Sequence, residues 1–243
     1  MSIEVRLVGF PGVRALRDAY RREARCQIVR DSVLERGLAD AYLMFRGGEV
    51  AGYGGVWNEH APGRVMEFLV LPDHRADRTA LLRAFVEASG ATQLEAQTNI
   101  PAMDALLEDF ATDIRAEHVL FQDGSATNLE FPDARIRPRT PGDVAPDGEW
   151  IVDVAWRPVA AGGILRQCNP PYADLYLEVI PEMRGQGLGS FFVQELRRIC
   201  QAEGLTAAAR CAPDNAGARR ALTRGGLVES GMLRAGDLTR LSL

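Results

Sequence analysis

The chain has 243 residues, 47% of them hydrophobic and 25% charged, with a formal net charge of −5. That is length enough for one large or two small cores, and without a basic tail or a stripe of interleaved aromatics, nucleic acid is not expected as a partner. No apolar run reaches the roughly 18 residues of a membrane span, and Glu4 and Arg6 stand where a signal peptide would be apolar, so no membrane contact and a cytoplasmic location are expected.

In chain order, Ile3 to Val8 alternates as a strand, and Val13 to Leu38 reads as two helices through Val13, Leu16, Ala19, Tyr20 and then Ile28, Val33, Leu34. Strands follow at Ala41 to Phe45, Val50 to Trp57 and Val65 to Leu71, then a helix over Thr79 to Ala88 with Leu81, Leu82, Phe85 and Val86 on one face. Leu94 to Gln97 is a short strand, Pro101 to Phe110 a helix, and Glu117 to Gln122 with Thr127 to Phe131 a hairpin. Ala134 to Arg139 and Trp150 to Trp156 are strands joined by Thr140 to Asp147, too rich in Pro, Gly and Asp for a helix. Leu175 to Ile180 is a strand, a helix follows through Leu188, Phe191, Phe192, Leu196 and Ile199, and Leu205 to Cys211 precedes a short helical stretch ending at Gly225-Gly226-Leu227.

The strand ending at Ile180 runs into Arg184-Gly185-Gln186-Gly187-Leu188-Gly189, a glycine-rich turn that opens a helix. The first amides of a helix have no intrahelical acceptors and carry the positive end of the macrodipole, so this turn can hold a phosphate by main chain alone. A Walker-type loop would need lysine, and the chain has none. A dinucleotide fingerprint would need glycine where Ser190 stands and an acid near position 210, which is Arg210. Arg-x-x-Gly-x-Gly after Val-Ile-Pro, followed by Asn215, Ala218 and Gly226-Leu227, resembles the acyl-CoA loop and downstream segment of the GCN5-related N-acetyltransferase (GNAT) family over about Glu149 to Leu243.

Shifted by 109 positions, Val70-Leu71-Pro72-Asp73-His74-Arg75 falls on Val179-Ile180-Pro181-Glu182-Met183-Arg184, Val50-Ala51 on Val159-Ala160, and Gly54 on Gly163. Asn99 and Ala102 repeat the Asn-x-x-Ala spacing. The expected fold class is therefore α/β (α+β), with two GNAT-like domains, 1–131 and 132–243, each a mixed, mostly antiparallel twisted sheet flanked by helices. In the first copy Arg78 replaces Gly187, Ala80 replaces Gly189 and Asp77 replaces Gln186, so side chains and a carboxylate occupy the anion's place and loss of acetyl-CoA binding is expected. The second copy lacks the two N-terminal helices that help wall the acceptor site in the resembled family, which places its acceptor pocket near the junction of the copies.

The resemblance implies acetyl-CoA as cosubstrate, held by Leu177, Val179 and Ile180 of one splayed strand and by Arg184, Gly185, Gln186, Gly187, Leu188, Gly189 and Ser190 of the loop. Asn215 and one of the neighbouring arginines, Arg220, complete the set; solvent-facing charge is the plainer reading of Arg219 and Arg220. Acetylation of an amine needs a neutral nitrogen and hence a base. Glu178 is the first candidate, a salt-bridged structural glutamate being the alternative; Asp153 is the second, and Tyr176 shares Glu178's face. The main chain near Val179 is expected to polarise the thioester carbonyl. Many relatives carry a tyrosine seven residues after the asparagine, where this chain has Leu222, so Thr223, Tyr176 or water is left to protonate the thiolate. Cys26, Cys168, Cys200 and Cys211 show no metal-ligand spacing and the three histidines are scattered, so no metal is expected; Cys211 reads as a buried filler or as an acyl-carrying nucleophile.

The expected activity is transfer of acetyl to the amine of a small molecule by direct attack, in a monomer or homodimer. A protein amine, an acyl-CoA-binding regulatory protein without catalysis, and a dinucleotide-dependent reductase are the alternatives. The acids are concentrated before residue 131, 20 against 14 arginines, with 13 against 14 afterwards; this is ordinary solvated charge that only slightly favours a cationic acceptor.

Overall fold

The computed structural model describes residues 2–24, 31–144, 146–166 and 170–242. Cys26, Ile28 and Cys168 lie outside the described residues. The chain divides into two compact units, one comprising Met1–Glu117 with Met232–Leu243, the other His118–Gly231. These units and the two repeat copies are different divisions of the chain, because the last strand returns to the first unit.

In the first unit, β1 (Ile3–Val8), β2 (Ala39–Arg46), β3 (Glu49–Trp57), β4 (Arg64–Val70) and β5 (Gln93–Gln97) lie in that order. The far side of β5 pairs antiparallel with Leu233 to Asp237 of β12 (Leu227–Asp237). Helix α1 (Phe10–Ala24) buries Val13, Arg17 and Tyr20, a stripe at helical spacing, and α2 (Asp31–Glu35) is one short turn. The next helix, α3 (Arg78–Ser89), buries Leu81, Leu82 and Phe85 and stops at Gly90, whose φ of 66° is left-handed. Helix α4 (Pro101–Phe110) starts on the proline, which has no amide to leave unsatisfied, and buries Met103, Leu106 and Leu107.

The second unit starts within β6 (Thr112–Asp123) and adds β7 (Ala134–Pro138), β8 (Trp150–Val154), β9 (Arg157–Leu165), β10 (Tyr172–Val179) and β11 (Thr206–Cys211). Their order is β6, β11, β10, β9, β8, β7. Helix α5 (Leu188–Ala202) lays Leu188, Phe192, Val193, Leu196 and Cys200 against the sheet face carrying Val119, Phe121, Ala173, Leu175, Ala207 and Ala209. Helix α6 (Ala216–Arg224) follows β11. No helix occurs among the described residues between β7 and β8. Each unit is thus a mixed, mostly antiparallel sheet flanked by helices, with one parallel pair in each, β4 with β5 and β10 with β11.

One expected element is corrected. Glu117 to Gln122 lies in β6, but Thr127 to Phe131 is not a strand and forms no hairpin with it. The reason is a buried side chain on α5: Gln194 accepts from the Leu129 N–H at 2.6 Å and donates to the Leu129 carbonyl at 3.0 Å. Those are the groups a ladder would have used. Arg197, almost fully buried, pins the same segment through Asp123 at 2.7 Å and the Ser125 carbonyl at 3.1 Å.

Candidate active site

Strands β10 and β11 pair in parallel for only three steps, Tyr172↔Thr206, Ala173↔Ala207 and Asp174↔Ala208. Beyond Asp174 the first continues against β9, through Val179↔Ala160, and the second against β6, through Cys211↔Val119. The strands therefore part, and the wedge opens into a cleft of about 1080 Å³ lined by β10, the loop after it, the end of β11 and α6. Ile180 donates its amide to Val159 at 3.0 Å. Because an antiparallel ladder alternates its hydrogen-bonding direction from residue to residue, Val179 and Leu177 turn their amides to the opposite edge, the one β11 has left. A strand edge with unpaired amides is a surface that an extended, amide-bearing ligand can join.

At the mouth of the wedge, Pro181–Met183 makes one 3₁₀ turn and the chain enters α5 through Gly185 at φ 76° and Gly187 at φ 95°. Both angles are left-handed, where a Cβ would be strained, and no atom stands within 4 Å of where a Cβ would project at either position. Gly187 is the N-cap and no side chain caps this end of the helix, so its first amides are available to an anion. Arg184 donates to the Val179 carbonyl at 2.8 Å and Gln186 to the Glu182 carbonyl at 2.9 Å, so both side chains hold the shape of the loop. Gly189 and Ser190 line the cleft, Ser190 buried and Gly189 facing Ala221 and Val179.

Asn215 caps α6, accepting from the Ala218 amide at 2.9 Å. Of the two adjacent arginines, Arg219 is held by Glu229 at 2.7 Å and does not line the cleft, whereas Arg220 is exposed and does. Leu222 is buried in the core beside the cleft. Cys211 also lines the cleft; burial raises its thiol pKa. Cys200 is buried under α5, which raises its thiol pKa to about 11. Both are free thiols.

The candidate bases separate by depth. Glu178 lines the cleft, but its side chain is 62% exposed and lies 3.8 Å from Arg184, so the cost of burying a carboxylate that pointed to it does not apply. Asp153 is not among the cleft residues; it is bonded to Arg137 at 2.6 Å, in a cluster with Asp143. Tyr176 lines the cleft with its ring laid on β9: its hydroxyl sits 2.6 Å from where a Cβ of Gly163 would stand. The carboxylate at the apex of the wedge is Asp174, 4% exposed, with Arg210 at 3.7 Å. Asp174 shares the face of Tyr176 and Glu178, and alternation alone could not say which of the three was buried. His118 of β6 also lines the cleft. No group of acidic, histidine or cysteine side chains able to hold a metal occurs among the described residues.

Residues 114–226, from β6 to the end of α6, match the model of the acetyltransferase (GNAT) family. Over that stretch, just under half of its length, the chain is similar to GNAT acetyltransferase domains. Its activity class is acyl transfer, in a family that uses acetyl-CoA and acts on amine acceptors. No curated protein matches the chain. Among solved structures it is similar to a GNAT-family acetyltransferase from Colwellia psychrerythraea, at 16% identity and a TM-score of 0.77 over 97% of this chain and 100% of that one. It is similar also to a GCN5-related N-acetyltransferase from Sphaerobacter thermophilus, at 14% identity and TM-score 0.61 over 97% and 96%. A third is a tandem GNAT protein from the clavulanic acid biosynthesis pathway, at 14% identity and TM-score 0.59 over 98% and 99%. At these identities the likeness is one of fold.

In the first unit two strands part likewise, since β4 and β5 pair only at Arg64↔Gln93 and Val65↔Leu94, while β12 pairs along the other edge of β5. The wedge between β4 and β5 is filled. Glu67 receives two hydrogen bonds from Arg17, at 2.7 and 3.0 Å, and one from the Tyr53 hydroxyl at 2.8 Å, all three side chains being buried. Burial opposes the charge on Arg17, but Glu67 outweighs it and raises the guanidinium pKa; burial, then Glu67, raises the Tyr53 hydroxyl well above its ordinary value. A cavity of about 10 Å³ beside Met66 and Met103 is the size of a single water. On the loop, Asp77 is tied to Arg46 at 3.0 and 3.2 Å, and Arg78 reaches the Ala102 carbonyl at 3.4 Å.

No helix among the described residues is long and apolar enough to cross a membrane.

Proposed function

We propose that the protein acetylates the amine of a small molecule by direct attack on acetyl-CoA, and that the second copy alone does so. The observation that carries this reading is the conjunction, in one cleft, of an uncapped helix entered through two left-handed glycines and a strand edge whose amides face the gap left by β11. These residues fit the cosubstrate: the amides of Leu188, Gly189 and Ser190 with Arg220 would hold its phosphates, and Leu177 and Val179 its amide-bearing arm. Acetyl-CoA supplies an acyl group activated as a thioester. The chain's part is to bring a neutral nitrogen to it and to stabilise charge on oxygen.

In this reading Asp174 takes the amine proton. It is a fixed carboxylate at the apex of the wedge, where Glu178 is solvated beside Arg184. A Val179 or Leu177 amide donates to the carbonyl oxygen as it gains charge, a function of geometry and not of side chain. Tyr176 forms the wall over Gly163, and Leu222 offers no proton, so water in the open cleft protonates the departing thiolate. The filled wedge of the first unit, with Asp77 and Arg78 on its loop, supports a first copy that has lost the cosubstrate.

The test is calorimetric titration with acetyl-CoA, together with release of free CoA thiol in the presence of an amine panel. One binding site per chain and amine-dependent thiol release are expected. Two sites would refute the degenerate first copy, and binding without release under any amine would favour the regulatory protein.

A further inference from the structure

Among the described residues, Arg210 is the one arginine that lines the cleft from β11. It lies two residues beyond Ala208, the last partner of β10, so it shares a face with Asp174, Tyr176 and Glu178 and stands across the wedge from Tyr176. The other arginines of the cleft belong to the loop and to α6: Arg184 is bonded to the Val179 carbonyl, and Arg220 and Arg224 are on α6. The Arg210 guanidinium makes no hydrogen bond among the described residues, and its ion pair with Asp174, at 3.7 Å, is beyond hydrogen-bonding distance. Its side chain is 37% exposed where that of Asp174 is 4% exposed, so a molecule entering the cleft meets the guanidinium before the carboxylate.

We propose that Arg210 selects the acceptor: an amine that also carries a carboxylate close to the nitrogen, as an amino acid does. This inference rests on the acetyltransferase reading. The guanidinium offers a planar, positively charged fork of donors that fits a carboxylate bidentately. A purely cationic amine would have to pass it against repulsion, whereas a zwitterion presents its carboxylate to Arg210 and its nitrogen to Asp174. Glu178 is offset by Arg184 and does not cancel the Arg210 charge. His118, also in the cleft, is on β6, beyond β11 from Asp174.

The experiment compares L-amino acids with their carboxamides and with the matching decarboxylated amines, by CoA thiol release and by calorimetric binding in the presence of CoA. The carboxylated member should exceed its carboxamide in kcat/KM by at least about tenfold, the scale of a charge-assisted bidentate contact. Arg210→Gln should bring that ratio to near one, with Arg210→Lys in between, and circular dichroism would establish that both variants fold. Should the variants unfold, the wild-type ratio still decides: equal or reversed preference overturns the proposal, as does an Arg210→Gln ratio unchanged from wild type. Carboxylate-dependent binding that Arg210→Gln abolishes, without thiol release by any protein, would uphold the selection and sink the catalytic reading instead. Absence of both binding preference and release would sink both.

Discussion

Gly187 and Gly189 sit two residues apart in the same loop, and the geometry assigns them opposite sensitivities. Gly187 has a φ of 95° with open space around it, so Gly187→Ala costs conformation and not clash. A left-handed backbone costs an alanine about 1–2 kcal/mol. If the turn is held rigidly, that cost appears as lost stability, a drop of about 2–8 °C in melting temperature at ~2–4 °C per kcal/mol. If the turn relaxes, it appears as affinity for acetyl-CoA weakened about 5- to 30-fold, since 1.4 kcal/mol is a factor of ten. The two losses together should come to about 1–2 kcal/mol. Gly189 is already helical, and a Cβ there would meet the Ala221 methyl at 3.5 Å and the Val179 side chain at 3.9 Å, ordinary van der Waals contacts. Gly189→Ala should therefore leave affinity unchanged and stability equal or higher by up to about 1 kcal/mol. Scanning calorimetry and titration calorimetry with acetyl-CoA measure both quantities on both variants. A Gly187→Ala protein with wild-type melting and wild-type affinity would refute the reasoning, and so would a Gly189→Ala protein weakened more than tenfold.

Asp174→Asn should lower kcat by about 10²- to 10⁴-fold, the usual worth of a positioned base, while Glu178→Gln stays within about threefold; steady-state thiol release over pH 6–9 reads both, and the reverse order would return the role to Glu178. Burial raises the thiol pKa of Cys211, and that of Cys200 to about 11, so both are less ionised at pH 8 than an ordinary cysteine and gain reactivity as pH rises. Mass-mapped alkylation at pH 8 should find both slow, with Cys211 accelerating at higher pH and acetyl-CoA protecting it alone. Deleting residues 232–243 removes the five-residue pairing with β5 and the bridges from Arg234 to Asp104 and Glu108, so the first unit should lose its cooperative thermal transition and become protease-sensitive. A native-like transition in that truncated protein would contradict the assignment of the last strand.

Strongly patterned elements were legible from sequence, as at Pro101–Phe110, where the proline start and the Met103, Leu106, Leu107 stripe leave little choice. The anion loop was legible too, because glycine spacing reports backbone angles directly. Depth was not. Alternation put Asp174, Tyr176 and Glu178 on one face, but which carboxylate is buried depends on where β11 leaves β10, a property of two distant segments. The expected hairpin at Thr127 to Phe131 failed for a similar reason: one glutamine 65 residues away in the chain takes both main-chain groups of Leu129. Asn215 matched a family pattern, yet its visible work is to cap α6.

The return of the final strand also sets an order of assembly. Residues 118–231 form a continuous stretch that holds every cleft residue, so this unit can close as soon as it leaves the ribosome. The amino-terminal unit is translated earlier but lacks the neighbour of β5 until residues 232–237 are made. At 5–20 residues per second, roughly 6–25 s pass between translation of its first and second instalments. Maturation thus runs against the direction of synthesis, and the half made first is finished last.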